Sequence, residues 1–170
     1  ALTLNHPLFF HQHYVSLSNC HYNYNKMPTH SETKILKYKP EQMFDLVNDI
    51  EAYPSFMPGC RGARVLEATE NELVGELQLG AAGVEQRLTT RNRLERPHKI
   101  AMTLIEGDFT EFSAAWHFEA LSEEASKVSL EMRFAFSRAL LNVAASSLFS
   151  TMANAQVDAV VKRAAAVYRV

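Results

Sequence analysis

Few side chains in this chain are suited to covalent chemistry. The nucleophile candidates are two cysteines, Cys20 and Cys60. The base candidates within the region that reads as strand are His98 and His117. A Cys/His pair works only when thiol and imidazole lie within hydrogen-bond reach. Cys60 follows Pro58-Gly59 in a loop, and His117 alternates with Trp116 and Phe118, so it points to the opposite face from those rings. The pair is badly placed. The sequence holds no HExxH, no glycine-rich phosphate loop after a strand and no paired acids on one face. Two cysteines without CxxC or Cys/His spacing give neither a metal site nor a disulfide framework. His11-Gln12-His13 makes a weak two-ligand site at most. We therefore expect no catalytic residue, no metal and no catalytic cofactor, and the chain is read as a non-enzyme.

Positive charge offers a different chemistry. Arg87, Arg91 and Arg93 share one face of a single alternating segment, with Arg96 and Lys99 nearby. Such a row suits the phosphates of nucleic acid or of lipid headgroups. A solvated outer sheet face explains it as well. The formal net charge is -2, so any anionic partner must be met by a local patch rather than by the whole molecule. Lys162, Arg163 and Arg169 sit where they complement the dipole of a C-terminal helix.

The elements that must hold these groups follow from periodicity. Residues 31–38 read as an edge strand. Pro40, then Glu41, then apolar Met43, Phe44 and Val47 mark a helix start and one buried face. Glu51 to Cys60, EAYPSFMPGC, reads as a turn or one-turn helix. Six alternating segments follow, from Ala63/Val65 to Val128/Leu130/Met132/Phe134/Phe136, with turn residues between them. This predicts an antiparallel meander with one face inside. From about residue 138 to 168 there is no Gly or Pro, and apolar residues recur at helical spacing, predicting one amphipathic helix of some 28 residues. The order strand, helix, strands, long helix gives an α+β fold, a curved antiparallel sheet wrapped around a long C-terminal helix.

With 170 residues, 47% hydrophobic and 21% charged, the chain has the composition of one globular domain. Residues 1–26 differ. They carry one charged side chain, Lys26, and His6, His11, His13 and His21, without helical or strand period. We expect a disordered leader that is not native, with Met27 as the start and the domain over residues 27–170. The leader lacks the basic start of a secretory signal and the arginines of a transit peptide. No apolar run reaches the ~18–20 residues of a membrane span. Free cysteines fit a reducing cytoplasm.

Several strings together resemble a known family. Asp49 to Cys60 (DIEAYPSFMPGC), Leu88 to Asn92 (LTTRN), Trp116-His117-Phe118, Met43 to Val47, Val157-Asp158-Ala159 and Lys162-Arg163-Ala164 occur in the order found in coenzyme Q-binding START-like domains. These belong to the polyketide cyclase/dehydrase superfamily. The resemblance runs over residues 31–170 and points to the bacterial RatA-type branch of ribosome association toxins. It departs at Gly59, where tryptophan is expected, near Ala81, where an aromatic is expected, and at Asp108, where proline is usual. The resemblance implies the START-like helix-grip fold. It also implies a bound isoprenoid quinone, ubiquinone, in support of cellular respiration in a bacterial cytoplasm. Binding to the large (50S) ribosomal subunit to block subunit joining is the alternative, and an aromatase/cyclase activity runs third.

A curved sheet closed by one helix leaves an apolar gap between them. Phe109, Phe112, Trp116 and Phe118 on one strand and Leu148, Met152, Ala153 and Val157 on the helix are expected to line it. Tyr53 and Phe56 are expected at its mouth. Each of these taken singly is better explained as core, but as a set, with the alanine-rich helix face, they favour open space. Arg87, Arg91 and Arg93 then remain as a patch for rRNA or headgroup phosphate, the latter through peripheral membrane contact.

Overall fold

A computed structural model describes residues 29–81, 83–137 and 143–168. Seven strands form one antiparallel sheet in the order β1-β7-β6-β5-β4-β3-β2. They are β1 (Thr29–Leu36), β2 (Cys60–Ala68), β3 (Glu72–Ala81), β4 (Val84–Glu95), β5 (Lys99–Gly107), β6 (Phe109–Ser122) and β7 (Ala125–Phe136). The meander β2 to β7 follows the chain, and β1 closes it by pairing with β7, Lys34 opposite Val128. This is the helix-grip architecture expected.

Alternation sets the faces, and bulges adjust them. On β6, Phe112, Ala114, Trp116 and Phe118 are buried at period 2. Phe109 stands three residues from Phe112, an odd spacing that would place it on the outer face. A register shift between Phe109 and Glu111 returns it to the inner one, because a bulge adds one residue without advancing the pairing.

Pro40 opens helix α1 (Pro40–Asn48), where its missing N–H costs nothing. The Lys39 backbone N–H, one residue earlier, donates to Gln42 Oε1 at 2.8 Å. Met43, Phe44, Leu46 and Val47 are buried. The Phe44 ring meets Phe118 edge-on at 5.7 Å. Its other side is covered by Arg96, whose guanidinium lies 5.5 Å from the ring and pairs with Asp45. A 3₁₀ helix, Ile50–Ser55, then lies on the sheet at β2. Close approach requires Gly75 on β3, since a Cβ there would stand 2.3 Å from Ile50 Cδ1. Gly75→Ala is accordingly expected to destabilise the domain by ~1–3 kcal/mol, the usual cost of overpacking. Ile50→Val, which removes Cδ1, should restore most of that loss. Urea unfolding of the two single variants and the double variant checks the coupling.

The C-terminal segment differs from the single helix expected. It forms α2 (Val143–Asn154) and α3 (Gln156–Tyr168); residues 138–142 lie outside the described residues. The break has a local cause. The Met152 carbonyl accepts the Ala155 N–H at 3.1 Å and the Gln156 side-chain Nε2 at 3.1 Å. Both partners depart from the α-helical ladder, in which the Gln156 backbone N–H would bond there. The ladder resumes with Ala159 N–H to Ala155 O at 3.0 Å. Val157, Val160 and Ala164 then seat α3 fully in the core. Tyr168 Oη donates to the Gln42 carbonyl at 3.0 Å and ties its end to α1.

Candidate ligand cavity

Between the concave sheet face and α2 lies an apolar cavity of about 80 Å³. Strands β3 to β7 supply most of its wall, with Leu77, Leu88, Met102, Trp116 and Phe134 among the lining residues. Tyr53 and Met57 close it from the 3₁₀ helix and the loop beyond, and Phe149, Met152, Ala153 and Gln156 close it from the helices. At one end Phe109, Phe136 and Phe149 stand 5.3–5.5 Å apart, centroid to centroid. Four methionines, Met57, Met102, Met132 and Met152, share the wall. Their unbranched thioethers adapt to irregular space more readily than branched side chains.

Six of the ten expected lining residues meet here: Tyr53, Phe109, Phe112, Trp116, Met152 and Ala153. The others lie elsewhere. Phe118 is buried against Phe44 of α1, in solid core at the far end of β6. Val157 is fully buried past the helix break. Phe56 is half-buried outside the cavity, with its ring under the Arg163 guanidinium at 5.4 Å and against Tyr53 at 5.6 Å. The Leu148 side chain lies outside the described residues. Sequence reading missed Met57, Met102, Met132, Leu77, Leu79 and Leu88; all but Met57, which lies in the loop after the 3₁₀ helix, are inward alternants of their strands. It also missed Gln156, for which only the polar residue at a helical core position gave a signal.

Polar groups in the wall are few. Tyr53 Oη donates to the Val47 carbonyl at 2.6 Å, so this ring is anchored to the end of α1. Burial pushes its phenol well above the ordinary value, with smaller contributions from Cys60 and Asp49. Cys60 Sγ lies 3.4 Å from the Gly62 carbonyl, and burial pushes its thiol up as well. Both stay protonated and uncharged near neutrality. Among the described residues, neither the Trp116 indole N–H nor the Gln156 amide oxygen has a hydrogen-bond partner. The wall is therefore apolar and neutral, with a donor and an acceptor still available.

A raised tyrosine pKa means that the folded state resists deprotonation. Stability is held below the ordinary value of about 10 and falls as pH rises past it. Tyr53→Phe should abolish part of that alkaline loss. At pH 7 it should cost ~1–3 kcal/mol, because the buried Val47 carbonyl loses its partner. Urea unfolding at pH 7 and above pH 10 measures both.

The outer sheet face holds the arginines as expected, all three exposed. Two of them are not free. Arg87 pairs with Glu76 at 3.6 Å and Arg91 with Glu72 at 3.0 Å. Glu76 is only 5% exposed and is also held by Arg64 at 2.9 Å. Arg93 has no ion partner among the described residues. The row is thus an interleaved charge array, not a bare cationic stripe. Cys60 lines the cavity, whereas neither His98 nor His117 does. No cluster of three metal-ligating side chains occurs among the described residues.

Residues 36–161 match the family model described as polyketide cyclase / dehydrase and lipid transport. The chain belongs to that family. Among curated members it is 37% identical to the ribosome association toxin RatA of Escherichia coli K12, over 84% of this chain and 90% of that one. It is 28% identical to the mitochondrial coenzyme Q-binding protein COQ10 homolog B of Xenopus laevis, over 85% of this chain and 61% of that one. The fold matches the crystal structure of the Zhui aromatase/cyclase from Streptomyces with a TM-score of 0.68 at 19% identity, covering 80% of this chain and 90% of that one. That likeness speaks to the fold alone. The polyketide cyclase / lipid transport fold thus places its concave face around the cavity just described. One local feature sets how this member fills it. Gly59 takes φ +74°, and a Cβ there would stand 2.2 Å from Met152 Cε, so the loop lies directly on the Met152 side chain.

Proposed function

We propose that the domain is a non-catalytic binder of an isoprenoid quinone, ubiquinone, held between the sheet and α2. The observation that carries this reading is the cavity, apolar and uncharged, with the Trp116 N–H and the Gln156 amide oxygen in its wall without a hydrogen-bond partner among the described residues. A quinone ring offers carbonyl acceptors and a quinol offers hydroxyl donors, so the two groups suit both redox forms. The volume of about 80 Å³ is below the ~300–1,000 Å³ of sites that hold drug-sized ligands. Entry therefore needs the methionine wall to repack. COQ10 homolog B, named for coenzyme Q binding, supports the ligand class. Among the described residues of the wall there is no acid–base pair to support a cyclase reaction. Mass spectrometry of lipid extracted from the purified protein tests the assignment: quinone at near-stoichiometric amount supports it, and a protein free of apolar lipid counts against it.

The RatA relatives favour a second reading, association with the large ribosomal subunit. The arginine face of β4 is the surface for it. Arg91→Glu combined with Arg93→Glu should reduce co-sedimentation with large subunits in a sucrose gradient, more so at raised salt. Quinone uptake should be unchanged, since both side chains lie on the opposite sheet face from the cavity. Equal loss of both activities would tie this face to the cavity.

A further inference from the structure

A groove lies outside the cavity. It runs between the loop after the 3₁₀ helix and one side of α3, lined by Ser55, Phe56, Pro58, Lys162 and Arg163 over a floor of alanines. Ala155 at the helix break and Ala159 and Ala166 on α3 form that floor, where only small side chains face the groove. The Arg163 guanidinium lies over the Phe56 ring at 5.4 Å, while its Nε is buried without a hydrogen-bond partner among the described residues. Buried donors are nearly always bonded, and a charged one left open is costly. Lys162 adds an exposed cation beside it. The acid in the groove, Asp158, is already paired with Lys34 at 3.1 Å. The groove therefore presents two cations, one with an unmet donor, above an apolar floor and beside an aromatic ring.

Its position gives it a use. The groove residues Phe56 and Ala155 are chain neighbours of Met57 and Gln156, which line the cavity. Groove and cavity thus share the break between α2 and α3. We propose that this groove binds the phosphate of an anionic phospholipid and so docks the domain on a membrane surface with the cavity at the bilayer. The proposal rests on the lipid-binding reading for its purpose, but on the groove alone for its geometry. The guanidinium and ammonium take the phosphate oxygens, and the alanine floor with Phe56 takes the first acyl carbons. Basic side chains near an anionic leaflet each strengthen binding, and salt weakens them.

The test uses the full chain and sedimentation with phosphatidylcholine vesicles, with and without a minority of phosphatidylglycerol. The protein should sediment with the anionic vesicles and much less with neutral ones. Lys162→Glu with Arg163→Gln should weaken that binding by roughly tenfold or more. Quinone uptake from detergent solution should stay at the parent level. Lys162→Glu alone, at an exposed site, should lose several-fold and decides the matter if the double variant is unfolded by circular dichroism. Equal binding to neutral and anionic vesicles, or variants that bind like the parent, would overturn the proposal. So would displacement of the protein by millimolar inorganic phosphate at constant ionic strength, which would mark a free-anion site. Loss of large-subunit sedimentation with vesicle binding intact would assign the groove to RNA instead. A parent that docks as described yet takes up no quinone leaves the groove standing and removes the cavity reading alone.

Discussion

Replacing Ala153 with leucine is expected to abolish quinone uptake while leaving the domain folded. Ala153 is buried on α2 and lines the cavity beside Met152 and Phe149. In a close-packed core the added isobutyl carbons would force neighbours off their rotamers, at a cost of ~1–3 kcal/mol. Here about 80 Å³ stands open next to the methyl group. The leucine should enter that space and cost under about 1 kcal/mol, or stabilise slightly through new apolar contact. The ligand then loses the volume into which it must insert, and uptake should fall by at least tenfold. Urea unfolding and ligand uptake are to be read on the same preparation. A variant destabilised by several kcal/mol, from a parent that binds no apolar ligand, would show that α2 closes on solid core.

Phe118→Ala should do the reverse. The ring is 1% exposed and packs edge-on against Phe44, with Trp116 stacked 6.4 Å away on the same face. Removing a buried phenyl group costs ~3–5 kcal/mol, a large part of the ~5–15 kcal/mol that a domain of this kind has in total. The effect should appear as a lower urea midpoint with an unchanged slope. Ligand affinity, measured where the variant is still folded, should be close to the parent value, because the ring does not reach the cavity. A specific loss of affinity without loss of stability would put Phe118 back among the ligand contacts.

These two residues show what the sequence could and could not reveal. Period-2 alternation puts Phe112, Ala114, Trp116 and Phe118 on one face of β6, and that face is inside as expected. Alternation does not say what lies opposite each position. Along a curved strand the inner face runs from the cavity under α2 to solid core under α1, so Trp116 borders the cavity and Phe118 does not. The fold itself was legible because hydrophobic period, Pro40 at a helix start and the family strings all agree. The helix break at Ala155 was not, since neither Gly nor Pro marks it. It depends on a side-chain amide competing for one carbonyl, which no periodicity reports. The arginine row was legible as a face, yet its pairing with Glu72 and Glu76 depends on strand register, Gln78 opposite Arg87 and Val74 opposite Arg91. Phe56 was expected at the cavity mouth by its string, yet it lies outside the cavity lining, and its partner Arg163, more than a hundred residues away, appears only in three dimensions.

The most direct test of the central claim uses the chain's one tryptophan. Trp116 is 3% exposed and lines the cavity, so a quinone bound there stands within contact distance of the only indole fluorophore. Titration of the folded protein with a short-tailed ubiquinone should quench Trp116 emission along a saturable curve with one site per chain. Ala153→Leu should abolish the saturable component and retain the emission. Emission unchanged across the titration, or weak quenching that rises linearly and equally in parent and variant, would contradict quinone binding in this cavity.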